Sequence, residues 1–296
     1  MTLTDLPRVR SPVEELVALL DLEPIELNIF RGTSPKDRSQ RVFGGQVLAQ
    51  ALVAASHTVE LRICHSLHAY FLIPGDPKVP ILYEVDRSRD GGTFSSRRVV
   101  AIQHGRQIFH MSASFQSAES GLEHQIDAAH VPQPDSLPDE DAFRRNHAHL
   151  VPAEYRDRFL SKRAIEVRHL DGEEIFGPNR RPPHLAVWVR ATGALPPDPA
   201  LHQCVLAYAS DLTLLETSLL PHGIGWFERR LQIASLDHAM WFHRPFRADE
   251  WLLYVQDSPS ASGARSFNRG LVYRADGTLV ASVAQEGLIR MRSEKP

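Results

Sequence analysis

Residues Cys64 to Gln116 read CHSLHAYFLIPGDPKVPILYEVDRSRDGGTFSSRRVVAIQHGRQIFHMSASFQ. Apolar-rich runs alternate here with short turns of glycine, proline and aspartate, which is typical of antiparallel strands joined by tight connections. The pattern predicts four strands: Leu67–Ile73, Pro80–Asp86, Phe94–Gln103 and Gln107–Phe115. The stretch therefore favours an antiparallel sheet that continues strand by strand along the chain.

A second stretch, Leu231 to Ile289, repeats this order of strands and turns. One apolar strand ends at Phe242, and three more are predicted after it: Glu250–Gln256, Arg265–Tyr273 and Leu279–Ile289. Landmarks in the two stretches keep a nearly constant offset of 171 or 172 residues: Pro74 with Pro245, Gly105 with Gly277, and Arg97 with Arg269. Such an offset predicts an internal duplication.

An apolar segment with helical spacing precedes each set of strands. The first follows Phe43-Gly44-Gly45 and runs from Val47 to Ala55, and the second runs from Leu201 to Leu219. The paired glycines permit a tight entry into the first helix and leave backbone N–H groups free there. We therefore predict an α+β fold in which two helix-plus-antiparallel-sheet units pack side by side.

The repeat also divides the chain into segments. We predict an N-terminal unit at residues 1–116, a linker at 117–183 and a C-terminal unit at 184–296. The linker is polar and rich in proline, so its order is expected to be partial. Short helices are predicted at three places: Ser11–Leu22, Pro138–Arg145 and Pro152–Lys162.

Composition excludes several classes of function. With 43% hydrophobic and 23% charged residues the chain is globular, and its net charge of −3 disfavours nucleic acid as a partner. The two cysteines, Cys64 and Cys204, indicate a reducing compartment, and the first residues lack the apolar core of a secretory signal. No apolar run reaches the roughly 20 residues that membrane insertion needs. We expect a cytoplasmic protein.

Three polar residues occupy positions where the local pattern requires apolar ones. Asp211 falls on the apolar stripe of the second helix, Gln285 on the apolar face of the last strand, and Ser235 in phase with apolar neighbours before Asp237-His238. Each alone is compatible with a structural role. Together, a carboxylate, a hydroxyl and an amide could hold and activate a water for attack on an activated acyl carbon, with no metal or cofactor.

These residues lie in motifs through which the chain resembles the type II acyl-CoA thioesterase family. The resemblance covers nearly the whole chain, in order. The motifs that carry it include RVFGGQVLAQAL (Arg41–Leu52), HSLHAYFLIPGDP (His65–Pro77), LAYASDLTLL (Leu206–Leu215), SLDHAMWFHRPFRADEWLLY (Ser235–Tyr254) and QEG (Gln285–Gly287).

The resemblance implies a double-hotdog fold and a catalytic set at Asp211, Ser235 and Gln285. Many bacterial members have threonine at the middle position, so serine here keeps the hydroxyl and loses a methyl group. The implied reaction is direct hydrolysis, in which Asp211 deprotonates a water that attacks the thioester carbonyl. The implied substrate is a medium- to long-chain fatty acyl-CoA, and the implied assembly is a homo-oligomer, a dimer or a tetramer.

Two other functions fit the same fold class. An enoyl-CoA hydratase would need an acid–base pair, usually Asp with His, and a non-catalytic acyl-CoA binding protein would need no Asp211. The CoA phosphates would need cations at the rim of the site. Four arginines on the predicted strands are candidates, although each also fits a solvated strand face: Arg97, Arg98, Arg265 and Arg269.

Overall fold

The computed structural model describes residues 10–35, 40–170 and 179–293. The helices described are α1 (Pro12–Leu20), α2 (Gly44–Ser56), α3 (Glu140–His147), α4 (Ala153–Leu160) and α5 (Pro199–Ser210). The strands are β1 (Glu23–Glu26), β2 (Ile29–Gly32), β3 (Ile63–Phe71), β4 (Ile81–Asp90), β5 (Phe94–Gln103), β6 (Arg106–Gln116), β7 (Ile165–His169), β8 (His184–Ala191), β9 (Leu231–Ser235), β10 (Asp237–Phe242), β11 (Leu252–Ser262), β12 (Arg265–Arg274) and β13 (Leu279–Met291).

The described strands form one antiparallel sheet that joins both halves of the chain. Its order is β1-β2-β4-β5-β6-β3-β10-β13-β12-β11-β8-β7, and β9 pairs with the far part of β13. The halves meet where β3 pairs with β10, with Ala69 opposite His238. Helices α2 and α5 pack against each other and against the sheet, so the core lies between helices and sheet. This arrangement matches the predicted pair of α+β units.

The duplication is visible in the burial of matching strands. In β5 the buried positions include Ser95, Arg97 and Val99, and in β12 they include Ser266 and Asn268. The burial patterns coincide at an offset of 171, which makes Asn268 the counterpart of Arg97. The predicted pairing of Arg97 with Arg269 is therefore wrong by one residue, because Arg97 points inward and Arg269 points to solvent.

The second helix is shorter than predicted. Helix α5 ends at Ser210, and the segment expected to stay helical to Leu219 forms two short 3₁₀ helices at Leu214–Ser218 and Leu220–His222. Spaced leucines keep an apolar stripe in either kind of helix, so periodicity alone does not mark the break. Asp211 consequently lies at the C-cap of α5, with φ −90° and ψ 1°, and is not within the helix.

The segment predicted as a linker has more structure than its composition suggested. Helices α3 and α4 lie close to their predicted positions, but the predicted linker also contains β7, which pairs with β8 and extends the second half of the sheet. Strands β1 and β2 likewise add to the first half and were not predicted. None of the helices in the described ranges is long and apolar enough to cross a membrane.

Candidate active site

Asp211, Ser235 and Gln285, the polar residues at positions where the sequence pattern requires apolar ones, are in hydrogen-bond contact. The Oδ1 atom of Asp211 accepts a hydrogen bond of 2.6 Å from Nε2 of Gln285 and another of 3.0 Å from Oγ of Ser235. Asp211 lies just after α5, Ser235 ends β9, and Gln285 is fully buried on β13. The structure therefore brings together a carboxylate, a hydroxyl and an amide that are 74 residues apart at their extremes.

The strand geometry explains why the two donors point at the same oxygen. Ser235 pairs with Gly287 between β9 and β13, so it lies two residues from Gln285 along the neighbouring strand. Side chains two residues apart on adjacent strands share a face of the sheet. Gly287 has no side chain and so leaves room for Leu215, because a Cβ at position 287 would lie 2.1 Å from Leu215 Cδ2.

The other half of the chain completes the surroundings of Asp211. Helix α2 begins at Gly44 after an N-cap residue, Phe43, whose side chain makes no capping bond, and the backbone amide of Gly45 hydrogen-bonds to Asp211. A Cβ at Gly44 would lie 2.7 Å from Asp211 Oδ2, and one at Gly45 would lie 2.6 Å from the carbonyl oxygen of Tyr208. The paired glycines thus let the helix N-terminus, with its positive dipole end, approach the carboxylate closely.

The environment tunes the protonation of Asp211. Burial raises its pKa from 3.8 to about 6, while the hydrogen bonds from Gln285, Ser235 and the Gly45 amide lower it. The result is a carboxylate that is charged near neutral pH and still basic enough to accept a proton. A pKa near the working pH is what a general base needs.

No equivalent set is found among the residues of the first half that the structure describes. At the offset of 171, Ser235 corresponds to Cys64 and Asn268 to Arg97. Gln285 corresponds to Ala113 at an offset of 172, because Gln285 pairs with Asn268 across the strands and Ala113 pairs with Arg97. The guanidinium of Arg97 fills this region and donates to Oγ1 and the carbonyl oxygen of Thr58, at 2.8 and 3.0 Å. Within the described residues the polar constellation therefore belongs to the second half.

The four arginines considered for CoA phosphates have structural partners or lie in solvent. Arg97 is buried and also pairs with Asp90 at 2.6 Å, so it does not line the rim. Arg269 pairs with Asp257 and Arg265 with Glu286 on exposed strand faces. Arg98 is exposed on β5. For Arg97 the phosphate-binding interpretation is excluded by burial.

Sequence reasoning missed three buried polar residues on the strands behind the turn that carries Asp211. They are His238, Tyr254 and Gln256. Gln256 shares a strand face with Leu252 and Tyr254, so its break in the apolar pattern was visible in the sequence. The neighbour of His238, Asp237, lies on the opposite face of the strand, where its side chain accepts a hydrogen bond from the backbone amide of Glu286.

Comparison with known proteins finds acyl-CoA thioesterases that match most of the chain. The family models for acyl-CoA thioesterase and for the acyl-CoA thioesterase N-terminal domain match residues 155–288 and 33–116. Acyl-CoA thioesterase 2 of Haemophilus influenzae is 41% identical over 94% of this chain and 98% of its own. The structure of acyl-CoA thioesterase II TesB2 from Mycobacterium marinum is 43% identical, covers 95% of this chain and 99% of its own, and superposes with a TM-score of 0.77.

A more distant structure supports the fold alone. A protein of unknown function with a hot dog fold from Alicyclobacillus acidocaldarius is 20% identical, covers 93% of this chain and 97% of its own, and has a TM-score of 0.74. Fold and similarity together define a double-hotdog hydrolase that acts on thioesters. The chain belongs to the type II acyl-CoA thioesterase family.

Proposed function

We propose that this enzyme hydrolyses medium- to long-chain fatty acyl-CoA to the free fatty acid and CoA, with Asp211, Ser235 and Gln285 as its catalytic residues. The observation that carries the proposal is the pair of donors on one carboxylate oxygen, Ser235 Oγ and Gln285 Nε2 on Asp211 Oδ1. Because Oδ1 is occupied, Oδ2 beside Gly44 is the oxygen available to a water.

The proposed reaction is a direct attack by that water. Asp211 takes one proton as the water oxygen bonds to the thioester carbon, and the C–S bond then breaks to release the CoA thiolate, which takes up a proton. The second N–H of the Gln285 amide and the backbone amides at the start of α2 are the candidate donors to the developing oxyanion. Thiolate is a good leaving group, so no further acid is required.

The surroundings of His238 argue against the hydratase alternative. That imidazole is fully buried, burial lowers its pKa to about 3, and its Nε2 atom bonds to Ser210. It therefore cannot serve as a proton donor near neutral pH. A purely binding role gives no reason to keep Asp211 charged in a partly buried position, where a carboxylate costs folding free energy.

Thiol release tests the proposal. Wild-type protein is mixed with a saturated acyl-CoA series from C4 to C20, and free CoA is measured with a thiol reagent. We expect turnover that is highest for substrates of about C8 or longer. Absence of thiol release along the whole series would refute hydrolysis, and consumption of an enoyl-CoA double bond without thiol release would favour the hydratase.

Two further properties remain proposals. Cys64 and Cys204 are free and buried thiols, which fits the cytoplasm expected from the cysteine usage. The homo-oligomer implied by the family resemblance, a dimer or a tetramer, is tested by light scattering at the protein concentration of the assay.

A further inference from the structure

Buried side chains from the sheet hold the turn that carries Asp211 on both of its sides. Before Asp211, His238 Nε2 lies 2.9 Å from Ser210 Oγ, and the Tyr254 hydroxyl donates to the Ser210 carbonyl oxygen at 3.2 Å. After it, Gln256 Nε2 donates to Thr213 Oγ1 at 2.9 Å. The three sheet residues are at most 1% exposed.

The protonation of His238 follows from its neighbours. The Ser210 hydroxyl donates to the carbonyl oxygen of Ala207 at 2.9 Å, so its oxygen is left to accept from the imidazole. His238 is neutral because burial lowers its pKa to about 3. It is therefore the Nε2–H tautomer, and it acts as a fixed donor to the last residue of α5.

The duplication provides an internal comparison for these three positions. At an offset of 171, His238 corresponds to Leu67 and Gln256 to Val85, so the half without the catalytic residues has apolar side chains there. Only Tyr254 has a like counterpart, Tyr83, whose hydroxyl donates to Gln50 Oε1 at 2.7 Å. A buried polar side chain costs folding free energy unless it is hydrogen-bonded, and these three side chains bond to the turn that carries Asp211.

The space for the Tyr254 ring is also built into the sheet. A Cβ at Gly270 would lie 2.2 Å from Tyr254 Cε2, so this ring position requires the glycine on β12. Burial raises the pKa of the Tyr254 hydroxyl, and the negative charge of Asp211 raises it further. The tyrosine thus stays protonated and keeps its proton for Ser210.

We propose that Tyr254, His238 and Gln256 are positioning residues that keep the Asp211 turn in the geometry needed to meet Ser235 and Gln285. The inference rests on the proposed function, since it concerns the same carboxylate. Asp211 is the C-cap of α5, where its backbone N–H bonds to the carbonyl oxygen of Ala209, so the regular helical ladder ends at this residue. A displacement of the order of 1 Å in a catalytic group can cost about a hundredfold in rate.

The test compares two substitutions that each remove one buried tyrosine hydroxyl. We expect Tyr254→Phe to lower kcat for palmitoyl-CoA by at least about tenfold with KM changed less than about twofold, because substrate binding does not use this hydroxyl. Tyr83→Phe is the matched control and should leave kcat within about twofold of wild type. A kcat for Tyr254→Phe that equals wild type, or falls no further than that of Tyr83→Phe, overturns the inference.

A second pair of variants tests the other side of the turn. Thr213→Val removes the hydroxyl that bonds to Gln256 and keeps the side-chain volume, while Thr213→Ser keeps the hydroxyl. We expect a lower kcat with unchanged KM for the valine variant and recovery for the serine variant. Equal kcat in both contradicts the inference. Absence of thiol release by the wild-type protein would instead refute the proposed function. Failure of the inference and failure of the proposed function are therefore distinguishable.

Discussion

Gly44 and Asp211 lie so close that an alanine methyl at position 44 would come within 2.7 Å of the Oδ2 atom of Asp211. Gly44 opens α2 in the first half of the chain, and Asp211 follows α5 in the second. The site therefore depends on how the two halves pack, although the three residues that we propose as catalytic all belong to one of them.

Gly44→Ala should inactivate the enzyme without unfolding it. The methyl group would take the space beside Oδ2, displacing the carboxylate or the water that we assign to it, and we expect kcat to fall by at least about tenfold. Steady-state kinetics with palmitoyl-CoA and a thermal melt measure the two effects. Gly92→Ala is the control, since a Cβ there has no neighbour within 4 Å among the described residues. Normal kcat in Gly44→Ala would contradict the geometry.

The pH dependence of turnover should follow the ionisation of Asp211. The base acts as a carboxylate, and its pKa is raised to about 6, so kcat/KM should fall about tenfold per pH unit below that value. The hydroxyl of Ser235 lowers this pKa, and Ser235→Ala should therefore move the acidic limb to higher pH. Rate profiles of both proteins between pH 4.5 and 8.5 provide the measurement. An acidic limb that stays in place would argue against the Ser235 contact.

The ionised carboxylate of Asp211 should lower the stability of the folded protein at alkaline pH. Its pKa is higher in the folded state than the ordinary 3.8, so the folded protein binds the proton more tightly and loses stability as pH rises through about 6. Asp211→Asn removes the charge and should raise the free energy of unfolding by about 1–2 kcal/mol at pH 8, allowing for partial exposure. Denaturant melts at pH 8 and pH 4.5 test this, and the gain should shrink at the lower pH. A destabilised Asn variant at pH 8 would contradict it.

Arg97 should matter for stability and not for CoA binding. Its buried guanidinium bonds to Thr58 and Asp90, and Arg97→Met would remove these bonds at a cost of about 2–4 kcal/mol. KM for acyl-CoA should be unchanged in the folded fraction. Arg98→Met, on the exposed face of the same strand, controls for loss of charge and should change stability little. A raised KM in Arg97→Met would restore the phosphate-binding interpretation.

The sequence predicted most of the strands because alternation and turn residues are local signals. Strand β5 was predicted with its observed ends, Phe94 and Gln103, and helix α2 with nearly its observed extent. The end of α5 was missed because the leucine spacing continues beyond it, and the side chains that bond to the turn come from far along the chain. Tyr254 and Gln256, more than forty residues away, bond to the turn at Ser210 and Thr213.

The sequence identified the residues of the candidate site one by one, but it did not predict how they are arranged in space. Asp211, Ser235 and Gln285 each stood out against an apolar pattern, and the family resemblance placed them in one set. That Gly45 of the other half would bond to Asp211 depends on how α2 and α5 pack, which spacing along the chain does not encode. Of the buried polar residues behind the turn, Gln256 could be noticed in the sequence because it interrupts an apolar strand face. His238 could not, because a histidine in a core is common.

The most direct test of the central claim is the turnover and substrate affinity of Asp211→Asn side by side with wild type. The asparagine keeps the size and the acceptor oxygen for Ser235 and Gln285 but cannot take a proton from water. We expect thiol release from palmitoyl-CoA to fall by about a thousandfold. The Kd of a non-hydrolysable thioether analogue of the substrate, measured by calorimetry for both proteins, should stay within about threefold of the wild-type value. Turnover at the wild-type rate in Asp211→Asn would show that this carboxylate is not the base.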